Sequence, residues 1–492
     1  MRYASRESWW RGWAVALVAG AAALGAACSS DACDEGPFGG ATCTYGADVT
    51  TGDTLIFRGE TVTYQAVAIY GVGPGVAQSI RWGASDSTVL KIDVLTDGTA
   101  EVEGLEEGTS WIVAFVNEAF RDSAMVTVVV RAGDRWVNTY AGTPAGSYPA
   151  LGTDSLVRVV TGGATPLLRI LAPESGIGSS TATCFSAFGP SLGAFDAAYT
   201  TGNQCTRRHT QVGDSAWTAP AGGAGFGVAV AVDGGAITVS TDSVFRVDAS
   251  GAVLWGLAVG DSMRTAPVIG PGGDVYVGFS TGGADSVARI ALDGTTVAWR
   301  AAVPGLSPGT PAVTATRLFF GRPGGLFALD PAGVVTWDRS FSADNPLATA
   351  TSATSSPVHD NVVLFVQNEE ALYSYGIGGS FVWAADSLSY GPAGGPVGAP
   401  ALLTDGTLVV PCVSGPGTRG VCSVRQINGR IAWRSPVVPG TVEGLAVGAD
   451  GMIFVTRAVS GGGSQVAALW ARVPPSTTGW PAEGGSQRHT RR

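Results

Sequence analysis

The chain has 492 residues, enough for two or three domains rather than one core. It combines 72 Gly and 27 Pro with 45% hydrophobic residues, which excludes disorder and favours an all-β protein rich in tight turns. Only 14% of residues are charged, the net charge is −10 and Lys91 is the sole lysine, so the surface offers no electrostatic footprint for nucleic acid.

The N-terminus reads as a targeting segment. Arg2, Arg6 and Arg11 precede an uncharged run from Trp13 to Ala27 that is too short to span a bilayer comfortably but suits a signal-peptide core. It ends in Leu24-Gly25-Ala26-Ala27-Cys28, which resembles the bacterial lipobox, with the leucine four places before the cysteine instead of three. The resemblance implies export, cleavage after residue 27 and lipidation of Cys28. With Ser29 next, it implies an outer-membrane or cell-surface location. Setting Cys28 aside leaves six cysteines, and sequence neighbours pair as Cys33–Cys43, Cys184–Cys205 and Cys412–Cys422. Such bonds suit an oxidising compartment. No C-x-x-C occurs, so zinc ligation is not indicated.

Residues 28–47 read as a tether, with folded sequence beginning near Asp48. From there to Arg131, short alternating segments are broken by polar turns: TVTYQAVAIY, SIRWGAS, LKIDV, TAEVEGL, WIVAFV and AMVTVVV. Six or seven strands in this length predict a β-sandwich with Trp82 and Trp111 as core anchors. Trp82-Gly83-Ala84-Ser85-Asp86, then Gly98, Ala100, Val102, Gly104, Leu105, Gly108 and Thr109, with the closing segment 122–128, resemble the group 2 bacterial Ig-like domain. That resemblance implies a fold and a surface location, and it implies no ligand.

Between Gly213 and Trp480 one pattern recurs. Its fullest copy is TPAVTATRLFFGRPGGLFALDPAGVVTW, residues 310–337. Trp217, Trp255, Trp299, Trp337, Trp383, Trp433 and Trp480 close successive copies at intervals of 38, 44, 38, 46, 50 and 47 residues. Pro267, Pro311, Pro357, Pro400 and Leu445, at the strand openings, repeat at 44, 46, 43 and 45. Two markers with one period of this length predict four-stranded propeller blades with a tryptophan wedged between neighbours. Six copies are clear. In the seventh, AAYTTGNQCTRRHTQVGDSAW supplies strands two to four, with Cys184 on strand one. Residues 132–180, with Trp136 and LVRVV, offer material for an eighth blade if the ring closes with one strand from each end. Cys412 and Cys422 flank VSGPGTRGV, predicted as a long loop between strands two and three of one blade.

The segment Leu318–Trp337, with VYVGF at residues 275–279, resembles the PQQ-repeat propellers. The expectation is therefore all-β: signal peptide 1–27, tether 28–47, Ig-like sandwich 48–131, a seven- or eight-bladed PQQ-like β-propeller 132–481 and a tail 482–492. The family includes quinoprotein dehydrogenases, which hold PQQ and calcium, commonly against two adjacent disulfide-bonded cysteines. No two cysteines are adjacent here. The recurrent Asp248, Asp293 and Asp330 are explained by turn formation. His209, His359 and His489 are scattered and read as surface or turn residues. No G-x-S-x-G or P-loop occurs. No catalytic, cofactor-binding or metal-binding residue is assigned, and no cofactor is expected. The expected role is binding or scaffolding at the envelope, with an unidentified protein or polysaccharide partner. The nearest functional analogue by resemblance is the propeller lipoprotein of outer-membrane barrel assembly. Surface adhesion or polysaccharide binding is the alternative, and a PQQ-dependent oxidoreductase is the least favoured one.

Overall fold

The computed structural model describes residues 33–35, 41–70, 73–75, 79–95, 98–116, 120–141, 148–162, 165–184, 189–202, 204–223, 226–294, 296–345, 348, 354–368, 370–386, 398–415, 418–436, 441–459, 463–478, 482 and 485. The signal-like run, Cys28, Trp480 and His489 lie outside them. The chain divides into two compact units, 1–130 and 131–492. Among the described residues, no helix is long and apolar enough to cross a membrane.

The first unit is all-β. Thr54–Phe57, Phe120–Val129, Gly108–Val116 and Ile80–Ala84 form one sheet; Thr61–Tyr64, Ala100–Gly104 and Leu90–Val94 form another. A third contains Cys33–Glu35, Ala41–Val49, Ala66–Tyr70 and Gly73–Gly75. Regular structure thus starts at Cys33, inside the segment expected to be a tether. The backbone register sets Cys33 opposite Cys43, but their side chains lie outside those described. One core is shared by Tyr64, Trp82, Val102, Ile112, Ala114 and Val126. Trp82 is an anchor, its indole N–H donating to the Gly98 carbonyl at 2.9 Å. Trp111 is not: it stands 47% exposed. Side chains alternate along a strand, and Ser110, Ile112, Ala114 and Val116 already face inward, so Trp111 must face out.

Among the described residues, the second unit contains eight antiparallel sheets, here numbered I to VIII. Sheets I to VII each use four strands in chain order: I from Ala150 to Ala182, II from Ser191 to Ala219, III from Ala229 to Ala258, IV from Val268 to Ala302, V from Ala312 to Ser340, VI from Val358 to Ala385 and VII from Ala401 to Arg434. In sheet IV, Ser262–Met263 adds a second short piece against the same neighbour. Pro149, Pro190, Pro267, Pro311, Pro357 and Pro400 each stand one residue before a first strand, where a missing amide hydrogen breaks no ladder.

Sheet VIII is made differently. Thr441–Val447, Ile453–Val459 and Gly463–Leu469 supply three strands, and Asp134–Ala141, from the start of the unit, supplies the outer fourth. The outer place expected near Trp480 is therefore held by Trp136, paired with Ala468. Each sheet packs its apolar face on the next, as with Leu168 on Leu192 and Leu326 on Tyr373. The last packs on the first through Val159 and Leu171 against Phe454 and Ala468.

The tryptophans hold these seams together. Each indole N–H donates to a turn carbonyl of the following sheet: Trp217 to Ala249 at 2.9 Å, Trp255 to Leu292 at 3.2 Å, Trp299 to Pro331 at 2.9 Å, Trp337 to Ile377 at 3.1 Å and Trp383 to Gln426 at 2.9 Å. Trp136 donates to Pro173 of sheet I at 2.7 Å, across the closing seam. The ring lies on the turn glycine: a Cβ on Gly294 would fall 2.2 Å from the Trp255 ring. Sheet VII contributes Trp433, packed against the core it shares with sheet VIII.

Candidate binding surface

In a four-stranded antiparallel sheet, the turn joining strands one and two and the turn joining strands three and four fall at the same end. The repeat places its acidic residues there. Asp248 opens such a turn in sheet III, its Oδ1 accepting from the amides of Ser250 and Ala252 and from the Ser250 hydroxyl. These bonds lower the Asp248 pKa, the Ser250 hydroxyl most. Asp330 does the same for Ala332 and Val334. Asp293 stands at the matching turn of sheet IV, below the Trp255 indole.

At sheets I and II this end is held by a buried polar group. Arg158 is fully buried and forks onto Asp154 at 3.0 and 2.7 Å, and also donates to the Gln211 carbonyl of the neighbouring sheet. Asp196, also buried, accepts from the Thr153 amide and hydroxyl and the Asp154 amide, at 3.0, 2.7 and 3.1 Å. These bonds lock the first turns of sheets I and II together.

The outer strand of sheet I, Gly178–Ala182, carries no tryptophan, and the seam to sheet II is built otherwise. Cys184 follows that strand instead of lying on the first strand of sheet II, which is Ser191–Leu192. Its disulfide to Cys205, at the start of sheet II's third strand, joins the two sheets. Cys412–Cys422 links the second and third strands of sheet VII. Those strands run Thr407–Gly415 and Thr418–Arg425, so the expected long loop is mostly ladder and both cysteines lie within strands.

His209 and His359 are buried, not at the surface as expected, because each strand turns its imidazole into a seam. His209 Nδ1 donates to the Gly213 carbonyl at 3.2 Å while Nε2 meets the Thr183 hydroxyl at 2.8 Å. His359 Nε2 donates to the Val313 carbonyl of sheet V at 3.2 Å while Nδ1 accepts from the Asn361 amide at 3.1 Å. Each ring thus uses one donor and one acceptor, the neutral form, and burial pushes both pKa values down to about 4. The unfolded imidazoles titrate near 6.5 and bind protons that the folded ones refuse, so stability falls as pH drops from about 6.5 to 4. At pH 5 the loss is about 2 kcal/mol per histidine. Urea unfolding at pH 7 and pH 5 should show it, and the His209→Gln/His359→Gln variant should lose less between the two.

At the opposite end, the openings of the first strands of sheets IV to VI meet around Thr265, Ser307, Thr310, Thr354, Ser355 and Ser356. The Thr310 amide donates to Ser356 Oγ at 2.8 Å, and the space enclosed is about 10 Å³, room for one water. Hydroxyls in so small a space do not fit a quinone cofactor on a calcium ion. Among the described residues, no group of three His, Cys, Asp or Glu side chains is placed to hold a metal.

Sequence reasoning offered residues 132–180 for an eighth blade closed by one strand from each end but did not single out residues 134–141 as that strand, and it missed Pro149 and Pro190, which carry the strand-opening signal into sheets I and II. It also missed the Arg158 and Asp196 group, for which no local motif exists.

No curated protein matches the chain in sequence. Solved structures similar to it include the C-terminal WD40 domain of Sif2, at 11% identity and a TM-score of 0.48, covering 68% of this chain and 97% of that one. A quinonprotein alcohol dehydrogenase-like protein from Bacteroides thetaiotaomicron matches at 10% identity and a TM-score of 0.36, covering 70% of this chain and 96% of that one. A protein of unknown function from Bacteroides caccae matches at 13% identity and a TM-score of 0.33, covering 49% and 92%. Residues 191–399, from the first strand of sheet II to just before sheet VII, match the PQQ-repeat family model described as "Outer membrane protein assembly factor BamB".

Proposed function

We propose that the chain is an exported, lipid-anchored envelope protein whose Ig-like sandwich and eight-bladed PQQ-like propeller serve binding or scaffolding rather than catalysis. One observation carries the binding reading. The repeat residues are occupied in the seams, while the turns left in solvent hold large apolar side chains such as Phe195 and Val232. The match to a family model described as an assembly factor supports a protein as the partner. Adhesion or polysaccharide binding is the second reading, favoured by Trp111, an aromatic ring half exposed on a sheet face.

Cys28 is the proposed anchor, and an outer-membrane or cell-surface position follows from it. Cell fractionation tests this: the full chain should sediment with membranes and Cys28→Ser should be soluble. Equal distribution of the two would overturn the anchor. Adding PQQ with calcium to the full chain should leave Tm unchanged. A rise of several degrees, as saturating ligand binding produces, would overturn the non-catalytic reading.

A further inference from the structure

The turn end of sheets I to III has two properties that the repeat does not require. First, large apolar residues stand at its tips: Phe195 is 89% exposed, Val232 86%, Ile177 76% and Val212 70%. They belong to neighbouring turns. Asp196, next to Phe195, binds the Thr153–Asp154 turn, and the same Asp154 accepts from Gln211, next to Val212. Tyr199 donates to Gly234 in the Val232 turn. Second, the six turns 152–156, 172–177, 193–197, 210–214, 231–235 and 248–252 contain six carboxylates and no Lys, Arg or His. Glu174 and Asp214 are exposed within three residues of a tip, while Asp233, beside Val232, is paired with Arg246 on the adjoining strand.

Phe195 is also held in an unfavourable backbone state. Its φ is 53° and ψ 33°, the left-handed region that disfavours a bulky side chain, and Asp196 follows at φ 55°. The buried Asp196 side chain, with its three hydrogen bonds, maintains that conformation. The effect is to fix a phenyl ring outward, at a stability cost, in a position where a flexible turn would have let it fold back.

We propose that Phe195, flanked by Val212 and Val232, is the anchor of a docking site for a protein segment that carries apolar side chains interspersed with lysine and arginine. This deepens the binding role proposed above and rests on it. An exposed, pre-oriented aromatic supplies the burial that dominates such contacts. The carboxylate-only turns around it select a cationic partner and repel an anionic one. An anionic membrane surface is disfavoured by the same charge.

The test uses the full chain and a labelled amphipathic helix of leucine and lysine, followed by fluorescence anisotropy. Its leucine–glutamate counterpart and phosphatidylcholine vesicles form the other arms. The lysine peptide should bind, more weakly as salt rises, and Phe195→Ala should weaken it at least tenfold. Val362→Ser and Ile427→Ser, on exposed turns of the same end in sheets VI and VII, should leave it within twofold. Phe195→Gly, which relieves the backbone, should lose binding while raising Tm by about 1 °C, separating lost contact from lost fold. The proposal is overturned if Phe195→Ala binds like the parent, if the glutamate peptide binds equally, if the Val362 or Ile427 variants weaken it as much, or if vesicles bind through Phe195. None of these outcomes bears on the Cys28 or PQQ measurements.

Discussion

Asp134→Ala should destabilise the second unit by about 3 kcal/mol or more, read as a lower urea midpoint at constant m. Arg457 is fully buried in sheet VIII, and its guanidinium is held by Asp134 at 2.6 and 3.2 Å from the closing strand. Removing the carboxylate leaves an uncompensated charge in the ring. Asp134 is itself one-third exposed, so water reaching its place softens the loss, and the lower end of the usual range applies. Replacing both partners, Asp134→Ala with Arg457→Met, should cost less than Asp134→Ala alone, because the buried charge goes as well. If the double variant is the weaker one, the ion pair is not what ties the closing strand to sheet VIII.

Trp337→Ala should cost about 3–5 kcal/mol, the range for truncating a packed tryptophan. The indole packs against Phe319 with ring centroids 5.9 Å apart and donates to the Ile377 carbonyl of the next sheet. Beneath it is Gly379, at φ 89°, where an added Cβ would fall 2.7 Å from the ring. Gly379→Ala should therefore destabilise on two grounds, steric conflict with the indole and a left-handed backbone. In the Trp337→Ala background only the second remains, about 1 kcal/mol. A double-mutant cycle by urea unfolding reads the difference. Additive effects would mean that indole and glycine do not meet.

What the sequence makes legible follows from repetition. Sheets II to VII meet nearly the same neighbours, so the same steric demands recur: a proline before the first strand in all but sheet III, a glycine in the last turn and a tryptophan beyond it. Those demands are local, and they yield strand order and period directly. The rest is not local. Asp134–Ala141 resembles any short strand, and only pairing with residues more than three hundred positions away makes it the closing strand. Sheet I lacks its tryptophan because a disulfide and the Thr183–His209 contact occupy that seam, so the repeat signal disappears where the chemistry changes. Trp111 misled because an aromatic's burial depends on strand phase, which its neighbours set. Nothing in Gly-Ala-Phe-Asp-Ala announces an outward phenylalanine. Its orientation depends on Asp196 reaching the turn of another sheet.

The closed ring is the claim on which seams, turn end and docking site all depend, and a cysteine pair tests it most directly. Thr139 lies opposite Gln465 in the closing ladder, with their side chains in contact at 3.3 Å. In Thr139→Cys/Gln465→Cys, mild oxidation of the full chain should join the two positions nearly quantitatively, seen by mass spectrometry as one linked peptide pair. If the two cysteines remain free while the protein is folded, residues 134–141 do not close the ring, and the eight-sheet account is wrong.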